Sequence, residues 1–256
     1  MPSASEPILV LRNVAKNYGG IVAVRDMSFA VSAGEVCGII GPNGAGKSTL
    51  FDLISGATAP SAGAVYFRAA EIGGLPMYQR ARRGIARTFQ LANTFVSLTV
   101  EDNILVGAED HRRRNLLQAT THIGGYRRRL AEARECARAI MQIVGIADLA
   151  QMPAARLTFG QQRLVSLARA LAGNARLLLL DEPAAGLSVG EVERLCDAVE
   201  RVQQNGATVL IIEHNVNLIM RICAHVIVMH LGEKIGDGTP DEVQNSERVV
   251  EAYLGS

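Results

Sequence analysis

The fold is decided by one stretch of the chain, Val36-Cys37-Gly38-Ile39-Ile40 followed by Gly41-Pro42-Asn43-Gly44-Ala45-Gly46-Lys47-Ser48-Thr49. The residues before Gly41 are small or apolar and predict a buried strand. Residues 41–49 contain G-x-x-x-x-G-K-[ST] in full, and the largely apolar residues 50–54 predict a continuing helix. Glycines permit backbone angles closed to other residues, so main-chain N–H groups and the helix N-terminus can form a pocket for anionic oxygens. The stretch therefore predicts a phosphate-binding loop between a strand and a helix.

The same loop predicts a nucleotide-binding site. Lys47 can reach the terminal phosphates as a point charge, and the Ser48 hydroxyl can complete the ligand shell of a Mg²⁺ ion. An ordinary glycine-rich turn explains the glycines but leaves Lys47 followed by Ser48 unexplained. The loop residues predicted to bind nucleotide are Gly41, Pro42, Asn43, Gly44, Ala45, Gly46, Lys47, Ser48 and Thr49.

A second candidate site follows an entirely apolar run. Residues 177–180 are all leucine, and the next two residues are Asp181 and Glu182. At the carboxyl end of a buried strand beside the phosphate loop, Asp181 can hold Mg²⁺ and Glu182 can orient or deprotonate an attacking water. The alternative is a strand that merely ends in a polar turn, and the phosphate loop makes that alternative the poorer one. Together the two sites predict hydrolysis of a nucleoside triphosphate.

Composition excludes several other classes. The 256 residues are 48% hydrophobic and carry a formal net charge of +1, so a buried core is expected and a strong general attraction to nucleic acid or anionic membrane is not. The four cysteines lie far apart and predict buried free thiols in a reducing compartment. The N-terminus lacks a signal-peptide pattern and no apolar run is long enough to span a bilayer, so a soluble, cytoplasmic protein is expected.

Alternation of strands and helices predicts an α/β fold with a mainly parallel central sheet. Ligands of such sheets gather at the carboxyl ends of the strands. Thr99 and Thr239 are followed by acids three residues later, which predicts a helix start at each. The remaining predicted strands are 8–14, 21–31, 63–68, 85–89, 177–180, 207–212, 225–230 and 233–236, and the predicted helices are 76–83, 126–144, 161–172, 189–204 and 215–221.

The span from 91 to 157 differs from the rest because it shows helical spacing and no strand pattern. Apolar residues recur on one side of the predicted helix 126–144, as expected for a helix that packs against others. We therefore predict a helical subdomain, 91–157, inserted between the two parts of a nucleotide-binding core, 1–90 and 158–256.

With these motifs in this order, the chain resembles the nucleotide-binding subunit of an ATP-binding cassette (ABC) transporter over essentially its whole length. Leu157-Thr158-Phe159-Gly160-Gln161-Gln162 resembles the signature of that family, usually Leu-Ser-Gly-Gly-Gln. Gln90 falls at the Gln loop, His214 at the switch histidine, and Tyr18 at the aromatic residue that stacks on adenine. The resemblance implies a P-loop NTPase core of ABC ATPase type with an antiparallel β subdomain and a helical subdomain, in one domain of about 7–256.

The resemblance also implies a role for each matching residue. ATP binds the loop 41–49 with adenine against Tyr18, and Mg²⁺ lies among Ser48, Gln90 and Asp181. Glu182 and His214 position the attacking water, and Lys47 with Mg²⁺ spreads the charge of the transition state. The signature helix, with Thr158, Gly160 and Gln161, faces the nucleotide of a second subunit.

The chain departs from the family pattern at three residues, two in the signature and one in the loop after Glu182. Thr158 replaces serine but keeps a hydroxyl that can bond a γ-phosphate. Phe159 replaces a glycine and places a bulky side chain beside the phosphate-facing backbone. Ser188 stands where the usual pattern has an aspartate, so any inter-subunit contact there must differ.

The details are most similar to the ATP-binding subunits of branched-chain amino acid importers. Phe159 within the signature, Arg87-Thr88-Phe89-Gln90, Ile212-Glu213-His214 and the tail Glu251-Ala252-Tyr253-Leu254-Gly255 carry this resemblance. Related systems import urea or other small amides, and a near relative exports lipopolysaccharide. A soluble ABC ATPase outside transport and a nucleotide switch without turnover are further alternatives. A soluble ABC ATPase usually has a long coiled coil or two cassettes in one chain, and this sequence shows neither. The intact catalytic residues argue against a nucleotide switch without turnover.

The implied partners are transmembrane permease subunits, a second ATP-binding subunit that is either a copy or a different chain, and indirectly an extracytoplasmic substrate-binding protein. The implied location is the cytoplasmic face of the cell membrane. The arginine clusters 112–114 and 127–129 are interpreted as a solvated face, in preference to contact with lipid headgroups or an acidic partner. Nucleic-acid binding is not expected, since no aromatic residues are interleaved with the arginines.

Overall fold

The computed structural model describes residues 6–88, 94–109 and 123–254. The chain divides into two compact units, one formed by 1–90, 176–185 and 203–256 and the other by 91–175 and 186–202. The strands are β1 (Pro7–Tyr18), β2 (Ile21–Ser32), β3 (Val36–Ile40), β4 (Ala62–Phe67), β5 (Ala70–Glu71), β6 (Ile85–Thr88), β7 (Leu177–Asp181), β8 (Thr208–Ile212), β9 (His225–His230) and β10 (Glu233–Gly238). The helices are α1 (Lys47–Ser55), α2 (Met77–Arg83), α3 (Val100–Glu109), α4 (Ile123–Val144), α5 (Phe159–Ala172), α6 (Val189–Gln204), α7 (Val216–Ile222), α8 (Pro240–Gln244) and α9 (Glu247–Leu254).

The first unit is built on a six-stranded sheet in the order β10-β9-β3-β8-β7-β6. All its neighbouring pairs are parallel except β10 with β9, which form an antiparallel hairpin. Every residue of β3, β7 and β8 is buried, which explains their unbroken apolar sequences. Because β3 and β7 both run parallel to β8, the residues that follow these three strands leave the sheet at the same edge.

A second, antiparallel sheet in the order β2-β1-β4-β5 belongs to the same unit. Met27, Phe29 and Val31 alternate inward along β2 and share one hydrophobic core with residues of α1 and the parallel sheet. The two sheets meet where the Arg25 N–H donates to the carbonyl of Gly232 in the β9–β10 turn, at 2.8 Å. The antiparallel sheet therefore supports the turn that lies against the phosphate loop.

In the second unit α3, α4 and α5 pack on one another. The buried face of α4 carries Ala137, Ile140, Met141 and Val144, the helical spacing expected from the sequence. Thr99 caps α3, since its hydroxyl oxygen accepts from the Asp102 N–H at 3.1 Å. Among the described residues between 94 and 157 there is no strand, only an isolated bridge between Thr99 and Pro153.

The predicted α/β fold is confirmed, and the element bounds differ at a few places. Helix α5 begins at Phe159 rather than 161, because Thr158 and Gln161 form a capping box before it. The strand predicted over 85–89 is observed from Ile85 to Thr88, and Phe89 lies outside the described residues. The short strand β5 and helix α9 were not predicted. In the described part of the chain no helix is both long and apolar enough to cross a membrane.

The predicted helical insert, 91–157, lies within the second unit. That unit also contains all of α5 and most of α6, since 158–175 and 186–202 cluster with it. Compact units need not coincide with inserted segments, so the domain boundaries stay a prediction.

Candidate nucleotide-binding site

The phosphate loop is held in a conformation that only glycine can adopt at two of its positions. Gly41 has φ 153° and Gly46 has φ 96°. A Cβ atom on Gly41 would lie 2.1 Å from the carbonyl oxygen of Met229, and one on Gly46 would lie 2.3 Å from that of Ala23. The loop backbone is therefore pressed against β9 on one side and β2 on the other, with no room for a side chain.

Lys47 opens α1 and is buried, with 6% of its surface exposed. Its Nζ donates to the carbonyl oxygens of Gly41 at 2.7 Å and Pro42 at 2.9 Å, so the side chain folds back over the loop. Burial lowers the pKa of Lys47, while the charges of Glu182 and Asp181 oppose that shift. The structure thus brings the loop lysine and both predicted acids together, and Ser48 lies exposed in the first turn of α1.

Asp181, the last residue of β7, is buried and carries one engaged and one free oxygen. Its Oδ2 accepts from Arg87 Nη2 at 2.8 Å. Its Oδ1 is buried and has no hydrogen-bond partner within the described residues. A buried carboxylate oxygen of this kind fits a hard, oxygen-preferring cation, so the residues present are compatible with Mg²⁺. Gln90, the other predicted side-chain ligand besides Ser48, lies outside the described residues.

Glu182 and His214 form a contact at the same sheet edge. His214 Nε2 lies 2.7 Å from Glu182 Oε1, and because an ionised carboxylate only accepts, this nitrogen then carries the proton. The Glu182 backbone has φ 46°, in the left-handed region, and its N–H donates to the Ile212 carbonyl at 2.9 Å. A strained backbone that its neighbours hold in place is typical of functional positions. The structure therefore pairs the predicted catalytic acid with the predicted histidine.

The sequence did not predict the part played by Glu213. This residue is buried, and one of its carboxylate oxygens accepts from the Ala184 N–H at 2.7 Å. The other oxygen accepts from the N–H of His214 at 3.1 Å. Glu213 therefore ties the turn after β7 to the turn after β8, and so fixes Glu182 and His214 relative to each other.

Tyr18, the predicted adenine contact, ends β1 beside the Gly19-Gly20 turn and is 48% exposed. The Lys16 ammonium lies 5.0 Å from the centre of its ring, a cation–π contact. Its role toward adenine stays a prediction.

At the N-terminus of α5, a carboxylate of the same unit already contacts the predicted signature. Thr158 accepts from the Gln161 N–H at 3.2 Å, and its hydroxyl donates to Glu191 Oε1 at 2.9 Å. The Gly160 N–H also donates to that oxygen, at 3.3 Å, and hydrogen bonds from Ser188 and Thr158 lower the pKa of Glu191. Ser188-x-x-Glu191 is a capping-box pattern that the sequence contains, but its contact with Thr158 depends on tertiary structure.

Phe159, the bulky replacement in the signature, is 41% exposed and packs against Arg163, whose guanidinium lies 4.7 Å from its ring centre. A cavity of about 210 Å³ adjoins Thr158, Gly160 and Glu191 in the same unit. Of the arginine clusters, only the Arg128 side chain is described; it pairs with Glu132 at 3.0 Å and is 85% exposed, in keeping with a solvated face.

A phosphate loop, a buried lysine and two acids at the carboxyl edge of a parallel sheet define the class of P-loop nucleotide hydrolases. Comparison with known proteins narrows the class. Residues 24–185 match the family described as "ABC transporter", and residues 233–256 match "Branched-chain amino acid ATP-binding cassette transporter".

Individual relatives agree. The chain is 36% identical over 252 residues to the high-affinity branched-chain amino acid transport ATP-binding protein BraF of Pseudomonas aeruginosa, covering 98% of this chain and 99% of BraF. It is 36% identical over 251 residues to the lipopolysaccharide export system ATP-binding protein LptB of Escherichia coli, covering 96% and 97%. The crystal structure of the ADP conformation of MJ1267, an ATP-binding cassette of an ABC transporter, superposes with a TM-score of 0.84 at 32% identity, covering 98% and 100%. The chain belongs to the ABC transporter family, as one of its ATP-hydrolysing, nucleotide-binding cassettes.

Proposed function

We propose that the chain is the ATP-hydrolysing subunit of an importer for branched-chain or other hydrophobic amino acids. The supporting observation is the match to BraF, which extends over nearly all of both chains, together with the family match at 233–256. LptB is equally identical but leaves slightly more of both chains unmatched, and the C-terminal family match favours the importer over the exporter. The alternatives are import of urea or other amides and an ATPase role outside transport, and measurements of uptake distinguish them from amino acid import.

The loop 41–49 binds the ATP phosphates through backbone N–H groups and the Lys47 ammonium, and the exposed ring of Tyr18 stacks on adenine. Burial makes the Lys47 charge effective, because its field is little screened by water inside the loop. Ser48, Asp181 and Gln90 would hold Mg²⁺, which when bound neutralises charge on the β- and γ-phosphates.

Glu182 accepts the proton of the water that attacks the γ-phosphorus, and the bond from that phosphorus to the β–γ bridging oxygen breaks to give ADP and phosphate. His214 holds the Glu182 carboxylate through the 2.7 Å contact and so orients it toward that water. Glu213 keeps both residues in place through its bonds to Ala184 and His214.

A second cassette, either a copy or a different chain, closes over the nucleotide and presents the N-terminus of its own α5 with Thr158, Gly160 and Gln161. Closing and opening of this pair moves transmembrane permease subunits at the cytoplasmic face of the membrane. An extracytoplasmic binding protein delivers the substrate to the permease. Nucleic acid has no part in this cycle.

Uptake by cells of the native host tests the proposal. Deletion of the gene should abolish high-affinity uptake of radiolabelled leucine, isoleucine and valine, and the wild-type gene should restore it. Restoration should fail with Glu182→Gln, because hydrolysis is lost while folding is kept, and should succeed with the matched control Glu193→Gln, an exposed residue of α6. Loss of urea uptake alone, a lipopolysaccharide export defect, or unchanged transport would each contradict the importer assignment.

A further inference from the structure

Arg87, on β6, makes two ion pairs in the nucleotide-binding unit, and in the pair with Asp181 both side chains are largely buried. The Arg87 side chain is 11% exposed. Nη1 lies 2.5 Å from Asp52 Oδ1 and Nη2 lies 2.8 Å from Asp181 Oδ2. Burial lowers the pKa of Arg87, but the hydrogen bonds and charges of these two carboxylates raise it by more. The guanidinium also lies 5.7 Å from the ring centre of Phe51, on the helix after the phosphate loop.

These contacts join two parts of the site. Asp52 belongs to α1, the helix that Lys47 opens, and Asp181 ends β7. Backbone register places Arg87 opposite Leu179 on the adjacent parallel strand, so the guanidinium reaches the carboxylate two residues further along β7. One planar cation thus fixes the spacing between the phosphate-loop helix and the strand that carries the predicted metal ligand.

We propose that Arg87 is a positioning residue for the Mg²⁺–nucleotide complex. This proposal rests on the proposed function of the site. By holding Asp181 through Oδ2, Arg87 stops the carboxylate from rotating and directs the buried, unpaired Oδ1 toward the metal. Mg²⁺ demands a near-ideal arrangement of its ligands, so a freely rotating carboxylate binds it less well. Loss of a group that orients a metal ligand typically lowers metal affinity about 10–100-fold.

An arginine suits this role better than a lysine would. The guanidinium is a rigid planar fork that can bond two carboxylates at once, whereas an ammonium is a single point charge on a flexible stem. Arg87→Lys should therefore keep the charge but lose one of the two fixed contacts, and its effect should lie between wild type and Arg87→Met.

Mn²⁺ binding provides a measurement that does not depend on turnover. Electron paramagnetic resonance reports free Mn²⁺ in the presence of the purified chain and a non-hydrolysable ATP analogue, and a fluorescent ATP analogue reports nucleotide affinity with Mg²⁺ or with EDTA. For Arg87→Met we expect the Mn²⁺ concentration at half-saturation to rise about 10–100-fold. Nucleotide affinity in EDTA should stay within about twofold of wild type, because the loop 41–49 is untouched.

Arg80 supplies the matched control. It is 1% exposed and donates to the backbone carbonyls of Leu53, Ile54, Gly73 and Leu75 in the same unit. Arg80→Lys should lower the temperature of unfolding without changing the Mn²⁺ half-saturation. Asp52→Asn removes the other carboxylate charge and should give a smaller metal defect than Arg87→Met.

The outcomes separate the two proposals. If Arg87→Met does not fold, Arg87→Lys carries the test, and an unchanged Mn²⁺ half-saturation in that variant overturns the positioning role. Equal loss of nucleotide affinity with and without metal also overturns it, since it indicates a general structural role. If the wild-type chain binds no nucleotide with or without metal, the proposed function of the site fails instead.

Discussion

At the scale of single residues, the site depends on positions where the backbone has no alternative. Gly41 and Gly206 both have positive φ, but only Gly41 is crowded: a Cβ there would lie 2.1 Å from the Met229 carbonyl, while one on Gly206 would meet nothing within 4 Å. Alanine at Gly206 would therefore introduce backbone strain alone, whereas alanine at Gly41 would introduce backbone strain and a steric clash, and the two effects can be compared within one chain.

Gly41→Ala should lower ATP affinity at least about tenfold, because the loop must move away from β9, and ~1.4 kcal/mol of lost binding energy is enough for that change. Gly206→Ala should cost only the ~1–2 kcal/mol of stability expected for a left-handed residue and leave ATP affinity unchanged. Fluorescent-nucleotide titration and urea unfolding check both. Equal ATP affinity in the two variants would show that the contact with Met229 does not shape the loop.

Some site residues are marked by the sequence around them, whereas others depend on contacts with residues far away along the chain. That Lys47, Asp181 and Glu182 lie together could be predicted, because a motif or the end of an apolar strand marks each of them. The ion pairs of Arg87 could not, since its partners lie 35 and 94 residues away along the chain and meet it only through the strand order. The same holds for Glu213, whose partner Ala184 is 29 residues away.

At the scale of elements, the β9–β10 hairpin carries a pH-dependent contribution to stability. His225 opens β9, and its Nε2 lies 2.6 Å from Asp237 Oδ1 on β10. Its Nδ1 lies 3.6 Å from Glu35 Oε1, and Lys234 also contacts Asp237. The interaction with the Glu35 carboxylate, followed by the hydrogen bond to Asp237, raises the pKa of His225 above its ordinary value, despite opposition from burial.

A raised pKa means that the folded state favours the protonated imidazole. The stabilisation is therefore complete below the unfolded pKa of ~6.5 and is lost as pH rises through the higher folded value. The free energy of unfolding of wild type should fall relative to that of His225→Gln above about pH 6.5, by no more than ~1.4 kcal/mol per pH unit. Urea unfolding at a series of pH values measures this, and a constant difference between the two proteins would contradict it.

Most elements followed from sequence patterns because burial in this fold is simple. The central strands β3, β7 and β8 are buried and almost entirely apolar, and helices such as α4 carry one apolar face, so their patterns are clear in the sequence. The two-residue β5 is too short to show any sequence period. Helix α9 begins only a few residues after α8 ends, so the sequence pattern did not separate the two helices. Helix α5 begins two residues earlier than predicted, because Thr158, a residue of the predicted signature, is also the cap of this helix.

At the scale of the whole molecule, one unit of the chain contains the phosphate loop, Lys47, Asp181, Glu182 and His214, and the other contains the predicted signature at 158–161. In the proposed cycle, the signature of each cassette completes the site that the phosphate loop of the other cassette forms. In the proposed cycle, Glu191 must yield the Thr158 hydroxyl and the Gly160 N–H before they can bond a γ-phosphate.

The rate of phosphate release from the Glu182→Gln chain shows whether the phosphate loop and the two acids at the end of β7 hydrolyse one bound nucleotide. We expect ATP affinity close to wild type and phosphate release slower by at least about 100-fold, because the group that accepts the water proton is gone. Glu193→Gln, measured beside it, should release phosphate at the wild-type rate. Phosphate release at the wild-type rate from Glu182→Gln would show that Glu182 does not accept the proton of the attacking water.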